Sequence, residues 1–298
     1  MKYATATAFR TALEARLHAH ARAANLSLSR LRKMIVIDRF LFRLMDVAPD
    51  AWVVKGGVAL NLRLNYQSRA TKDLDLTTYQ DRLIVDDNLI AVQAIQTDDF
   101  FSFAIRKHNA TDLGTEEGAI RYRLIAELAG RKFDEIAIDI GLNDPITGGP
   151  DLLQGPDLLA FAGLARIEVA ALPLEQHLAE KLHAYTRTYS HDRINTRVKD
   201  LADLLLIGSV AEFESRRLVE AIDVIFKTRG THNKPEALPL PPAMWRTPYR
   251  QLAAEIGLEP DIDSGFLQAS GFLNPILESA AAQSRRWIPS AWLWAPFP

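Results

Sequence analysis

Residues 73 to 77 read Asp-Leu-Asp-Leu-Thr, an alternation that resolves into two faces only when the chain is extended. Leu74 and Leu76 then point to a core, while Asp73 and Asp75 share the opposite face, where their like charges repel. Asp-x-Asp is also frequent at strand ends as turn or capping chemistry. The functional reading places a hard divalent cation between the two, since Mg²⁺ takes oxygen ligands and is commonly held by one or two carboxylates plus substrate phosphates. A second alternating run, Ile136 to Leu142, sets Ile136, Ile138 and Ile140 on one face and Ala137, Asp139 and Gly141 on the other. If the two strands are neighbours, Asp139 completes a three-carboxylate cluster able to hold two metals for in-line phosphoryl displacement.

Upstream, a short strand at Trp52-Val53-Val54 runs through Lys55 into Gly56-Gly57 and then a helical pattern through Leu60 and Leu64. Glycines at a strand-to-helix junction let backbone N–H groups approach a phosphate, and a helix N-terminus favours negative charge. The stretch lacks the Gly-x-x-x-x-Gly-Lys-Ser/Thr of a P-loop and the third glycine of a dinucleotide fingerprint. Strand, Gly-Gly, helix and Asp-x-Asp strand, in that order, supply a phosphate cradle and a metal clamp.

The rest of the chain narrows the possibilities. With no cysteine there are no disulfides, thiolate metal sites or cysteine nucleophiles, which fits a reducing compartment. A net charge of -2 gives no global sign of nucleic-acid binding, so any polyanion surface must be local. One local excess exists in the first fifty residues, where Lys2, Arg10, Arg16, Arg22, Arg30, Arg32, Lys33, Arg39 and Arg43 face Glu14, Asp38, Asp46 and Asp50. It reads as a solvated helix face or as a surface that tracks phosphates. The chain start is broken by Arg and Glu before any signal-length apolar stretch, and no run approaches the ~20 apolar residues of a membrane span. A cytoplasmic protein with no membrane partner is expected.

Apolar spacing predicts helices over 8–24 and 28–46, the second capped by Ser27 or Ser29, and over 83–96, whereas 118–128 is ambiguous. The turn-rich stretch 143–156 marks a domain boundary, which divides the chain into 1–150 and a mainly helical 151–298. Helices are expected at 175–189, 197–209, 211–227, 245–256 and 272–284, with a Pro-rich linker at 228–243. The tail tryptophans Trp287, Trp292 and Trp294 are expected to pack on the body rather than to bind bases. His177 and His183 miss the i, i+4 spacing of a helical zinc pair, His191 falls near a helix end, and no serine nucleophile elbow occurs.

The stretch "KGGVALNLRLNYQSRATKDLDL" resembles the signature of polymerase-β-type nucleotidyltransferases: a glycine pair, a helix, then Asp-x-Asp. Its form Arg69-Ala-Thr71-Lys-Asp73-Leu-Asp75 resembles, more narrowly, the AbiE-type (MenT-like) nucleotidyltransferase toxins of bacterial abortive-infection and toxin–antitoxin systems. A second block, "AEKLHAYTRTYSHDRINTRVKDLADLLLI", resembles that family's downstream motif, with Lys181 as its lysine, Arg197 and Lys199 as its basic lead-in, and Asp200 and Asp203 as its acids. The likeness spans roughly residues 30 to 210 and is looser toward the C-terminus. Gly57 stands where many members of the superfamily carry serine, so a hydroxyl contact to phosphate is lost there but the backbone contact is kept.

The resemblance implies an α/β (α+β) fold: a nucleotidyltransferase core with a small mixed sheet, followed by a helical domain that contributes Lys181 and Asp200. It implies Mg²⁺ on Asp73 and Asp75, with Asp139 as third ligand or as base and a two-metal site within reach. Lys181 is expected on triphosphate oxygens and Asp200 on Lys181 or the nucleotide, with Asp203 in helix packing. Lys55, Gly56, Gly57, Arg69 and Thr71 are the further nucleotide-binding candidates, Arg69 alternatively bracing its loop by a salt bridge. The implied reaction moves NMP from an NTP to RNA, the tRNA 3′ end, with a cognate antitoxin as partner. Transfer to a protein or small-molecule hydroxyl, and a non-catalytic binding protein of the same fold, are the alternatives.

Overall fold

The computed structural model describes residues 1–64, 68–108, 119–187, 197–278 and 284–296. The chain divides into two compact units, the first running to Leu172 and the second from Pro173 onward; Arg69 and the stretch Ile146–Gly149 belong to the second. The division falls later than the turn-rich stretch suggests, because two short strands that follow that stretch complete the sheet of the first unit.

The first unit opens with helices α1 (Ala6–Ala24) and α2 (Leu28–Val47), whose N-caps Thr5 and Ser27 accept hydrogen bonds from the backbone N–H groups of Ala8 and Arg30. Phe9, Leu13 and Leu17 of α1 are buried, as their helical spacing predicts. There follow β1 (Val53–Lys55), α3 (Gly56–Arg63), β2 (Asp73–Thr78), α4 (Arg82–Ala94), β3 (Phe101–Lys107), β4 (Ala119–Leu128), β5 (Arg131–Leu142), β6 (Asp151–Gln154) and β7 (Glu168–Ala171). Among the described residues these strands form one mixed sheet in the order β3-β4-β5-β2-β1-β7-β6. The ambiguous segment is strand β4: Tyr122, Leu124, Ala126 and Leu128 are buried in alternation, and it pairs antiparallel with β5.

One face of this sheet packs against helices. Leu74, Leu76, Ile138 and Ile140 are fully buried in one core with Leu31, Ile35 and Phe40 of α2 and Val85 and Val92 of α4. The opposite face carries the polar residues of the same strands.

The basic residues of the first two helices serve this packing. Arg10 donates to the carbonyls of Leu128, Arg131 and Lys132, Lys33 pairs with Asp134, and Arg32 with Glu14. Arg30 donates to Asn61 Oδ1. Arg39 and Arg43 are buried, Arg39 against Asp38 and Arg43 in a two-point pair with Asp99 at 2.6 and 2.9 Å. Neither expectation from the sequence describes these six: they clamp the β4–β5 turn and neutralise acids inside the unit, and only Lys2, Arg16 and Arg22 are left largely exposed.

The second unit contains α5 (Leu174–Thr186), α6 (Val198–Val210), α7 (Ser215–Arg229), α8 (Arg246–Ile256), α9 (Ile262–Leu277), β8 (Arg285–Ile288) and β9 (Leu293–Pro296). Helix α9 starts and ends earlier than its apolar pattern suggests, with Asp261 as its N-cap. The tail forms a hairpin whose Trp287, Trp292 and Trp294 surround Phe272, and all three indole N–H groups donate to backbone carbonyls. His191 lies outside the described residues. Among the described residues no helix is long and apolar enough to cross a membrane.

Asp99 and Arg43 are each about fully buried, so deleting one partner strands the other's charge. Arg43→Met should lower unfolding free energy by roughly 3–5 kcal/mol in urea denaturation. Arg43→Met with Asp99→Leu should lose clearly less.

Candidate active site

The glycine pair sits where β1 turns into α3, and Gly56 takes a φ of +60. A Cβ there would lie 1.9 Å from Asp75 Oδ2, and one on Gly57 would lie 2.8 Å from Thr71 Oγ1. The missing side chains therefore let a carboxylate and a hydroxyl settle against the start of α3. Thr71 Oγ1 also donates to the carbonyl of Asp73 at 3.1 Å, which ties the approach to β2.

Strand register assembles the rest. Asp75 is paired with Lys55 of β1 on one side and with Asp139 of β5 on the other, and Asp139 is in turn paired with Arg121 of β4. Directly opposed residues share a face, so Lys55, Asp75, Asp139 and Arg121 form one row across four strands, with Asp73 next to it on the same face. Asp73, Asp75 and Asp139 are half-buried while Leu74 and Leu76 are sealed beneath them.

The ends of the row are cations with partners. Lys55 Nζ meets Asp144 Oδ2 at 2.5 Å, and Asp144 occupies the space that a side chain on Gly141 would need. Arg121 grips Asp139 at two points, each 2.6 Å. Hydrogen bonds to Asp139 hold the Arg121 guanidinium above its ordinary value against the opposing effect of burial, and Asp73 and Asp75 add to the same field. Arg121 and Asp144 carried no signal in the sequence, since one lay in an ambiguous segment and the other in a turn-rich stretch.

The donor set suits a hard divalent ion at Asp73 and Asp75: carboxylate oxygens, on one face, at the start of a helix. Asp139 is a different case, because both of its oxygens are engaged by Arg121. Among the described residues no three of His, Asp and Glu are placed to hold an ion together.

In the second unit, Lys181 of α5 and Asp200 and Asp203 of α6 form a buried charged cluster. Asp203 is its hub: Lys181 Nζ lies 2.9 Å from Oδ2, and Arg69 donates to both oxygens at 2.9 Å. Asp200 is the more distant partner of Lys181, at 3.5 Å, and of Arg197, at 3.6 Å. Asp203 thus does more than helix packing, and Arg69 braces its loop by a salt bridge. Burial works against Asp203, but the charges of Lys181 and Arg69 and their hydrogen bonds outweigh it and bring its carboxyl down to about 2. Burial likewise lowers Lys181, and Asp203 and Asp200 more than offset it, so the ammonium is held above the ordinary lysine value. Lys199 is shifted down by desolvation and the charge of Arg69, against the pull of Asp200.

A mixed sheet of this kind, with a glycine turn feeding its carboxylate strand, places the chain among the nucleotidyltransferases. The structure is similar to that of MenT4, a nucleotidyltransferase toxin from Mycobacterium tuberculosis, with a TM-score of 0.55, 18% identity, and coverage of 90% of this chain and 98% of that one. It also matches JHP933 from Helicobacter pylori, with a TM-score of 0.43, 15% identity, and coverage of 81% and 90%. Curated protein sequences give no match. A family model described as "Nucleotidyl transferase AbiEii toxin, Type IV TA system" matches residues 39–270, and the chain belongs to that family. Membership implies an NTP and an antitoxin as partners, and enzymes of this class generally use a divalent metal.

Two variants test the two clusters. Gly56→Ala should displace Asp75 and cost about 1–3 kcal/mol from the left-handed backbone alone, measurable by chemical denaturation. For Asp203 the folded-state value lies below the unfolded one, so its contribution is present above the ordinary carboxylate range and is lost as pH falls through about 2. Asp203→Asn should therefore be less stable than the parent by roughly 3–5 kcal/mol at pH 7, and the gap should close between about pH 4 and pH 2.

Proposed function

We propose that this chain transfers a nucleoside monophosphate from an NTP to a hydroxyl of RNA, the tRNA 3′ end, as the toxin of a type IV toxin–antitoxin pair, with Mg²⁺ held by Asp73 and Asp75. The observation that carries the reading is the seat of Asp75 on Gly56: a side chain at that glycine would collide with the carboxylate, so this turn is shaped around it. Bound there, the ion would neutralise phosphate charge as it develops in the transition state.

The chain's own residues do the remaining work. The N–H groups at the start of α3 face negative charge, with the helix dipole in support, so Gly56 and Gly57 approach phosphate through the backbone. Lys55, restrained by Asp144, and Thr71 adjoin that turn and position it. Lys181 meets triphosphate oxygens and offsets charge on the leaving pyrophosphate, its ammonium kept protonated by Asp203 and Asp200. Arg69 fixes Asp203 and so holds Lys181 in place. Asp139 acts on the site through Arg121. The RNA acceptor follows the likeness to AbiE-type toxins, and the exposed Lys2, Arg16 and Arg22 could contribute to phosphate tracking. The reaction is placed in the cytoplasm, where NTPs and tRNA are at hand.

The test incubates the full chain with each α-labelled NTP, Mg²⁺ and total tRNA, beside Asp75→Ala. Label should appear on RNA with the parent chain, and Asp75→Ala should lose at least about 100-fold, as removal of a principal charge-stabilising group does. Label on protein, or no label with any nucleotide, refutes the RNA acceptor.

A further inference from the structure

The carboxylate face holds more negative charge than its internal cations answer. Along the row, Lys55 is drawn to Asp144, which leaves Arg121 as the cation facing Asp139, Asp75 and Asp73. Three carboxylates less one guanidinium leave two negative charges, the amount that one divalent ion neutralises.

We propose that Arg121 sets how many divalent ions this site accepts: by gripping both oxygens of Asp139 it withdraws the third carboxylate and leaves a site for one ion, at Asp73 and Asp75. The proposal rests on the reading of Asp73 and Asp75 as metal ligands and adds a stoichiometry to it. Three observations separate Arg121 from a simple brace. Its pair is the directly opposed one of the β4–β5 ladder, so strand register delivers the guanidinium to Asp139. The contact is two-point and planar, the geometry in which arginine best occupies a carboxylate and leaves no lone pair aimed at an ion. The pair also lies on the face of Asp75, with side-chain exposures of 32% and 18%, so an ion in water could reach Asp139 if the guanidinium were gone. A brace would serve as well on any face; a gatekeeper has to stand where Arg121 stands. Without it the face carries three negative charges in adjoining positions, a set that a second ion would relieve.

The experiment is Mn²⁺ binding to the full chain without nucleotide, followed by the paramagnetic signal of free Mn²⁺ and by calorimetry. The parent should take up one ion per chain, and Asp75→Asn should lose it. Arg121→Gln should take up a second ion or bind the first about tenfold more tightly, the scale on which partners of ligands tune metal affinity. Adding Asp139→Asn to Arg121→Gln should return binding to the parental stoichiometry. Arg121→Lys, which keeps the charge and loses the two-point grip, should fall between; it also serves if Arg121→Gln unfolds in chelator, which the melting temperature reports. Unchanged stoichiometry and affinity in folded Arg121→Gln and Arg121→Lys overturns the role of Arg121 while leaving Asp73 and Asp75 as ligands. Equal binding by the parent and Asp75→Asn removes the ligand reading and the proposal with it.

Discussion

Repulsion between aspartates on one face of a strand is the constraint around which the first unit is arranged. Asp73 and Asp75 lie above leucines that are fully buried, so the strand cannot turn its acids outward without exposing its core. Parallel pairing with β5 then adds Asp139 beside Asp75. Charge so concentrated is tolerable only if something nearby answers it. The fold answers partly from within, through Arg121, and partly by the approach of a helix N-terminus at Gly56. The residual negative charge is what makes the face a cation site instead of a salt-bridged surface.

The second unit solves the converse problem. Asp203 is fully buried and Asp200 nearly so, and they gather Lys181, Arg69 and Arg197 around them, with Lys199 adjacent in sequence to Asp200. Four cations on two acids leave positive charge in excess, held in fixed positions by the acids it exceeds. The lowered Lys199 and the raised Lys181 express two sides of this arrangement: one lysine is crowded by like charge, the other is held between carboxylates.

What could be read from the sequence was whatever is local. The alternation of DLDLT and IAIDIGL disclosed the strands and their acidic faces, and the glycine pair disclosed the turn, because each pattern is complete within a few residues. The lysine and the acids of the second block were found by motif, but not the fact that Asp203 rather than Asp200 is their centre, which depends on Arg69 arriving from far upstream. Strands β6 and β7 were missed because four residues hold too little pattern to separate a strand from a turn, and they moved the domain boundary. The N-terminal arginines misled for the opposite reason: charge in a sequence is read as surface, while here Arg39 and Arg43 end in buried carboxylates and Arg10 in backbone carbonyls.

The two charge imbalances bear on what each unit can bind. A free triphosphate is repelled by the carboxylate face, and a free divalent ion is repelled by the basic cluster. A metal–nucleotide complex carries both signs, so under the proposed function it alone satisfies the excess of each unit. Charges preset by folding need little reorganisation when the ligand arrives, which is the condition under which fixed dipoles and ions lower a barrier most. In the first unit that presetting is done by register, which cannot drift by one residue without sending Asp73 and Asp75 into the core. The sheet, more than any single hydrogen bond, therefore sets the geometry of the site.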